Sequence, residues 1–138
     1  MHIEIFDKLP SQAREIRQKV FVEEQGFQNE FDRVDEQASS LVVFDKSQAV
    51  ATCRFYYDCT LNAYLVGRIA VIKEYRGKKI GALMMQAAQQ EIIKRGGKKI
   101  LIHAQTRAQA FYEKQGYTVF GKEDEEEGCP HVWMQKGV

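Results

Sequence analysis

Cysteine is scarce in this sequence, and its spacing suits neither disulfide bonds nor a metal site. The 138 residues include three cysteines, Cys53, Cys59 and Cys129, and no C-x-x-C pair. An odd number of cysteines argues against a disulfide framework, and the missing pair argues against structural zinc. We therefore expect free thiols, no bound metal and a cytoplasmic protein.

Long apolar runs and a strong net charge are also missing. No stretch approaches the roughly 20 apolar residues that span a bilayer, and the opening MHIEIFDKLP lacks the basic and apolar regions of a signal peptide. The formal net charge of +1 at pH 7 argues against a dedicated nucleic-acid binder. We accordingly expect an unprocessed chain whose partners include neither membrane nor nucleic acid.

What is present fits one globular domain covering residues 1–138. Hydrophobic residues make up 44% of the chain and charged residues 28%, which is ordinary for a folded domain of this size. Apolar periodicity predicts a mixed α/β sheet protein with the order β-α-β-β-β-α-β-α-β-β. The predicted strands are a short one before Pro10 and then 41–44, 49–57, 64–71, 100–102, 117–120 and 131–135. The predicted helices are 11–25, 77–95 and 105–115, and the acidic segment 123–127 is expected between the last two strands.

The stretch 68–85 is the most informative, because a strand breaks there into a turn rich in glycine and lysine that opens a helix. Backbone N–H groups in a first helical turn have no intrahelical partner, and the helix dipole adds partial positive charge there. This layout predicts a site for an anion such as phosphate, which Gly77 and Gly81 would let the backbone approach closely. The alternative is a surface turn in which Lys78 and Lys79 are solvated.

Three motifs together resemble the GNAT superfamily of acyl-CoA-dependent N-acetyltransferases. RGKKIG at 76–81 fits the family signature (Gln/Arg)-x-x-Gly-x-(Gly/Ala), with a lysine in place of the middle glycine. AQAFYEKQGY at 108–117 is similar to the family's late helix. RQKVFVEEQ at 17–25 and GCPHVWM at 128–134 resemble segments of the ElaA/YjcF-type branch. The resemblance covers essentially the whole chain.

The resemblance implies a GNAT-like acyl-CoA N-acyltransferase fold with a site for acetyl-CoA. The turn and first helical residues at 76–82 would hold the pyrophosphate through backbone N–H groups and basic side chains. The strand 69–71 would pair with the pantetheine arm through its backbone and stabilise the oxyanion. The implied cofactor-binding residues are Ile69, Ala70, Val71, Arg76, Gly77, Lys78, Lys79, Ile80, Gly81, Ala82, Gln105, Phe111 and Tyr112.

Tyr112 is the catalytic residue that the resemblance implies, as the donor of a proton to the departing thiolate. A phenol with a pKa of about 10 is protonated at neutral pH and can act as a general acid. The alternative is that Phe111 and Tyr112 only anchor the helix. For the general base, Glu24 and His131 rank first because they lie in the branch-specific segments.

Other side chains leave further roles open. His103 and Asp35 are also candidate bases. Arg17, Arg54 and Arg68 either bind an acidic acceptor or serve as ion-pair partners. Cys129 and His131 share one strand face, which would allow a thiolate–imidazole pair and a covalent acetyl-enzyme, although the superfamily is expected to transfer acetyl directly.

The leading functional hypothesis is therefore acetyl transfer from acetyl-CoA to a primary amine, of a small molecule, by direct attack in a ternary complex. A second hypothesis is a non-catalytic acyl-CoA-binding sensor that regulates a partner. A third, a nucleic-acid module using the lysine pairs at 78–79 and 98–99, is disfavoured by the near-neutral charge. A homodimer through an exposed edge strand is compatible with such a sheet.

Overall fold

The computed structural model describes residues 1–138 as seven strands and three α-helices. The strands are β1 (His2–Phe6), β2 (Ser39–Asp45), β3 (Gln48–Asp58), β4 (Ala63–Val71), β5 (Lys99–Gln105), β6 (Thr118–Glu126) and β7 (Cys129–Gly137). The helices are α1 (Ser11–Arg17), α2 (Ile80–Lys94) and α3 (Gln109–Lys114). Their order along the chain confirms the predicted one. Short helical turns add Gln18–Glu24, Arg33–Glu36, Lys73–Tyr75 and Thr106–Ala108, the first of them π-helical and the others 3₁₀.

All seven strands form one sheet in the order β1-β2-β3-β4-β5-β7-β6. Every neighbouring pair is antiparallel except β4 and β5, which are parallel and are connected through α2. These two strands pair only at Tyr64 with Ile100 and at Leu65 with Leu101. Beyond Leu65 they diverge, so the middle of the sheet opens toward the ends of β4 and β5.

Helices cover both faces of the sheet. Side chains alternate along β3, so Arg54 faces the α1 side, where it joins the ion pairs of Arg17, and Phe55 faces Arg95 at the end of α2. In β5, the run Ile100–Ile102 is buried without alternation, as predicted for a strand covered on both faces. None of the helices combines the length and the apolar character needed to cross a bilayer.

Three predicted boundaries are wrong. Helix α2 begins at Ile80 and not at 77, because residues 77–79 form the preceding turn. Helix α3 begins at Gln109, and Gln105 is the last residue of β5. The acidic residues 123–126 lie within β6, where 124–126 pair with β7, because hairpin pairing outweighs their low strand propensity. Glu127 and Gly128, both with positive φ, form the two-residue turn of this hairpin.

A buried ion network ties the irregular segment 25–38 to the sheet. Arg17, which is 1% exposed, donates to Glu30 at 2.8 Å and to Asp35 at 2.8 and 3.1 Å. Burial alone would raise the pKa of Asp35, but the hydrogen bonds and charge of Arg17 outweigh it and lower that pKa to about 2. Because the folded-state pKa is depressed, the Asp35 ion pairs stabilise the fold at neutral pH. That stability is lost as the pH falls below about 4.

Two further arginines extend the network onto the strands. Arg54 of β3 donates to Asp32 at 2.7 Å and to Asp35 at 3.1 Å. Arg68 of β4 donates to the backbone carbonyl of Glu30 at 3.1 Å and lies 3.3 Å from Asp32. Both arginines, like Arg17, therefore act as structural ion-pair partners.

We expect Arg17→Ala to lower the free energy of unfolding by about 3–5 kcal/mol, because it leaves two carboxylates facing a buried void without their main cation. The measurement is urea unfolding at pH 7. Arg14→Ala is the matched control, since Arg14 lies on the same helix, is exposed, and should change stability by about 0.5 kcal/mol or less. An equal effect of the two substitutions would contradict this role for Arg17.

Candidate active site

The divergence of β4 and β5 opens a cavity of about 410 Å³. Gly67–Val71 of β4 form one wall and Ile102–Gln105 of β5 the other. The π-helical turn after α1 covers the cavity through Val20, Phe21 and Glu24. Parallel pairing stops at Leu65, so the facing edges of both strands carry backbone groups without a partner in the other strand. A bound extended molecule could satisfy those groups.

A β-bulge distorts β4 beside this cavity. Gly67 pairs with Arg54 and Ala70 pairs with Thr52, so Arg68 and Ile69 together stand opposite Cys53. Arg68 adopts a positive φ of 51°, which is unusual for an arginine. Its guanidinium is held by Glu30 and Asp32, and these contacts stabilise the bulged conformation. The bulge re-aims the backbone of β4 where the strand borders the cavity.

The turn before α2 presents a run of free backbone donors. None of the N–H groups of residues 77–82 donates to an acceptor in the protein, and no side chain caps the helix. Gly77 and Lys79 have φ values of 78° and 63°, whereas Lys78 between them has a negative φ. This alternation of left-handed and ordinary backbone conformations curves the turn so that its N–H groups form a concave row. Lys79 thus adopts the left-handed conformation that a glycine would favour, and its side chain is exposed. This geometry suits an anion.

Arg76 joins that turn to the helical segment over the cavity. Its guanidinium makes two hydrogen bonds to the carboxylate of Glu24, at 2.8 and 2.9 Å, and a third to the carbonyl of Val71 at 2.9 Å. The hydrogen bonds from Arg76 lower the pKa of Glu24. Glu24 is therefore a weak base while this pair is intact.

Tyr112 of α3 lies in the cavity wall and is 6% exposed. Burial raises its pKa well above the usual range, so the phenol keeps its proton. Phe111 packs edge-on against it and also contacts the turn, because a Cβ at Gly81 would lie 3.2 Å from the Phe111 ring. Gly81 therefore allows α3 and the start of α2 to touch.

His131 lines the opposite part of the cavity and is 3% exposed. Its Nδ1 lies 2.7 Å from the carbonyl oxygen of Cys129, and because a carbonyl can only accept, Nδ1 carries the proton. Nε2 is then left with a lone pair. The Cys129 thiol is directed at the carbonyl of Pro130 and not at the imidazole, so the thiolate–imidazole pair is not formed.

The predicted site residues fall into two adjoining groups. Those that line the cavity are Glu24, Ile69, Ala70, Val71, Arg76, Gln105, Tyr112 and His131. Those that form the neighbouring turn and its packing partner are Gly77, Lys78, Lys79, Ile80, Gly81, Ala82 and Phe111. The Gln105 amide donates to Gln25 at 2.9 Å, and Asp35 lies in the ion network outside the cavity.

Sequence reasoning did not single out two carboxylates of the cavity wall, although the acidic segment 123–127 was a candidate for attracting a cationic amine. Glu30 is buried, and burial raises its pKa despite the nearby charges of Arg68 and Arg17. Glu126 lies at the end of β6, close to His131. Glu30 follows no periodic pattern, and Glu126 is one of five consecutive acidic residues, so nothing in the sequence distinguishes either.

Comparison with known proteins places the chain among acetyltransferases. A family model described as an acetyltransferase (GNAT) domain matches residues 7–138. The uncharacterised N-acetyltransferase YjcF of Bacillus subtilis is 32% identical over 124 residues, which cover 88% of this chain and 87% of YjcF.

Solved structures share the architecture throughout. A provisionally assigned N-acetyltransferase from Lactobacillus plantarum superposes with a TM-score of 0.88 at 31% identity, covering 99% of both chains. Escherichia coli ElaA superposes with a TM-score of 0.87 at 23% identity, covering 98% of both chains, and so has the same fold.

We expect Lys79→Gly to leave the free energy of unfolding unchanged or to raise it by up to about 1 kcal/mol, because glycine adopts the left-handed conformation without strain. Lys79→Val should destabilise, since a β-branched residue is strained at positive φ. Thermal unfolding of both variants measures the difference. Equal stabilities would contradict the left-handed conformation at this position.

Proposed function

Because the chain belongs to the acetyltransferase (GNAT) family, we propose that it transfers acetyl from acetyl-CoA to the primary amine of a small molecule, by direct attack in a ternary complex. The family predicted from three sequence motifs is confirmed, and the likeness to YjcF and ElaA agrees with the predicted branch. The observation that carries the proposal is the row of free N–H groups at 77–82 next to a cavity that contains Tyr112.

The donor site is built from backbone. The N–H groups of 77–82 and the positive end of α2 suit a pyrophosphate, and Lys78 and Lys79 add positive charge at the same turn. The unpaired edge of β4 from Val66 to Val71 suits an extended, amide-bearing arm. Acetyl-CoA, when bound, supplies the thioester whose acetyl group is transferred.

The chain's own residues supply two contributions to the transfer. Backbone N–H groups of the β4 bulge are fixed by the Arg68 contacts, and such preorganised donors stabilise the negative charge that develops on a carbonyl oxygen. Tyr112 keeps its proton until a strong base forms beside it, and it donates that proton to the departing thiolate. Both contributions act within the same cavity.

The acceptor amine must lose a proton, and His131 is the better placed of the two predicted bases. Its Nε2 has a free lone pair in the cavity wall, whereas the Glu24 carboxylate is already engaged by Arg76. Glu30 is neutralised by its ion pairs with Arg17 and Arg68, whereas Glu126 in the same wall is paired with neither arginine nor lysine, and its carboxylate favours a cationic acceptor over an acidic one.

The test is release of free thiol from acetyl-CoA in the presence of a panel of small primary amines. Turnover with at least one amine supports the proposal. Saturable acetyl-CoA binding without turnover on any amine would instead favour the non-catalytic acyl-CoA sensor. Failure to bind acetyl-CoA at all would contradict both.

In that assay we expect Tyr112→Phe to lower kcat by about 10²-fold while acetyl-CoA binding stays nearly unchanged, because only the proton donor is lost. Tyr117→Phe is the matched control. Tyr117 is a buried tyrosine in contact with Tyr112 that does not line the cavity, so its loss should leave kcat near the wild-type value. Unchanged turnover of Tyr112→Phe would remove Tyr112 from the mechanism.

We also expect His131→Asn to lower kcat by about 10²-fold or more. The asparagine amide can still donate to the Cys129 carbonyl, so the substitution mainly removes Nε2. Glu24→Gln should affect kcat less, because that carboxylate is engaged by Arg76. Circular dichroism checks that both variants are folded. A larger loss of kcat in Glu24→Gln than in His131→Asn would assign the general base to Glu24 instead of His131.

A further inference from the structure

Three potential metal ligands converge at one end of the cavity. His103 of β5, Glu126 of β6 and His131 of β7 each place a ligand atom within 4.8 Å of the other two. Glu126 lies 3.9 Å from His103 Nδ1 through one oxygen and 3.8 Å from His131 Nε2 through the other. We call this group the His103–Glu126–His131 cluster.

Each imidazole of the cluster has an outer nitrogen, which faces away from Glu126 and makes a hydrogen bond, and an inner nitrogen, which faces Glu126 and makes none. His103 Nε2 lies 2.7 Å from a carboxylate oxygen of Asp124, and His131 Nδ1 lies 2.7 Å from the carbonyl of Cys129. Both acceptors require the proton on the outer nitrogen. The lone pairs of the inner nitrogens, His103 Nδ1 and His131 Nε2, are thus the ones nearest Glu126.

This pattern is the one found around metal-bound histidines, which donate their second N–H to a carboxylate or a backbone carbonyl. Direct hydrogen bonds do not account for the cluster, because 3.8 and 3.9 Å are too long for hydrogen bonds between the imidazoles and Glu126. Tetrahedral bonds of about 2.1 Å place neighbouring ligand atoms about 3.4 Å apart. The three ligand atoms lie within 4.8 Å of one another, and Glu126 and His103, with side chains 44% and 21% exposed, have room to close that spread.

We propose that the His103–Glu126–His131 cluster binds one divalent transition-metal ion, of the Zn²⁺, Co²⁺ and Ni²⁺ class. Two imidazoles and one carboxylate favour these ions over Mg²⁺ and Ca²⁺, which take oxygen ligands. All three residues line the cavity, so a fourth coordination position faces it. The expectation of no metal was based on cysteine spacing, which carries no information about ligands brought together by strand pairing.

The site would also bear on the proposed acetyl transfer. An ion held by His131 Nε2 occupies the lone pair that is proposed to accept the proton of the amine. The metal-bound protein should therefore turn over more slowly. Metal binding itself does not depend on that function, because it can be measured on the protein without acetyl-CoA or amine.

The experiment uses the only tryptophan of the chain as its reporter. Trp133 stacks on His103 with a ring separation of 4.6 Å, so Co²⁺ or Ni²⁺ bound at the cluster should quench its fluorescence. Zn²⁺, a d¹⁰ ion, should compete and restore the signal. The untagged protein carries His2→Ala, Cys59→Ser and Cys129→Ser, which remove other potential ligands.

We expect saturable quenching at one ion per chain. Glu126→Gln should weaken binding at least 10-fold, and Asp124→Asn, which alters the outer partner of His103, by about 10- to 100-fold. Glu125→Gln is the matched control, because neighbouring strand residues face opposite sides of the sheet, and it should leave affinity unchanged. No saturable quenching below about 1 mM, or equal affinity in Glu126→Gln and Glu125→Gln, would overturn the proposal.

Discussion

The cavity exists because β4 and β5 stop pairing after two residue pairs. Two strands that are neighbours in one sheet share only two residue pairs and then separate. Backbone groups inside a protein are costly when they lack partners, so such a gap persists only where another molecule or water satisfies them. The cavity, the accessible bulge and the meeting of helices α2 and α3 at its border all follow from this separation.

Charged contacts hold the gap open on one side. Arg17, Glu30 and Asp35 fix the irregular segment that borders the cavity, and Arg68 carries the same network onto the β4 bulge. Glu30 belongs both to this network and to the cavity wall. Folding stability and the shape of the cavity are therefore coupled through one carboxylate, so substitution of Glu30 should affect both.

Local signals predicted the order of elements and one half of the site. Ile80, Met84, Ala88 and Ile92 recur at helical spacing and are buried as that spacing requires. The turn at 77–82 could be predicted from the sequence, because glycine and lysine precede the apolar residues of α2. The bulge at Arg68 could not be predicted, because arginine carries no preference for positive φ. The approach of His103 to Glu126 follows from strand register, which residues far apart in sequence do not reveal.

The two edges of the sheet differ in a way that limits how copies of the chain can join. Strand β6 forms one edge and carries an unbroken run of charged residues from Lys122 to Glu126. A second copy aligned there would bring carboxylates against carboxylates. Strand β1 forms the other edge and has only Glu4 as an acidic residue, with Ile3 and Ile5 on either side. The charged half of β6 therefore opposes sheet extension between molecules more strongly than β1 does, and β1 is far in strand order from the β6–β7 hairpin.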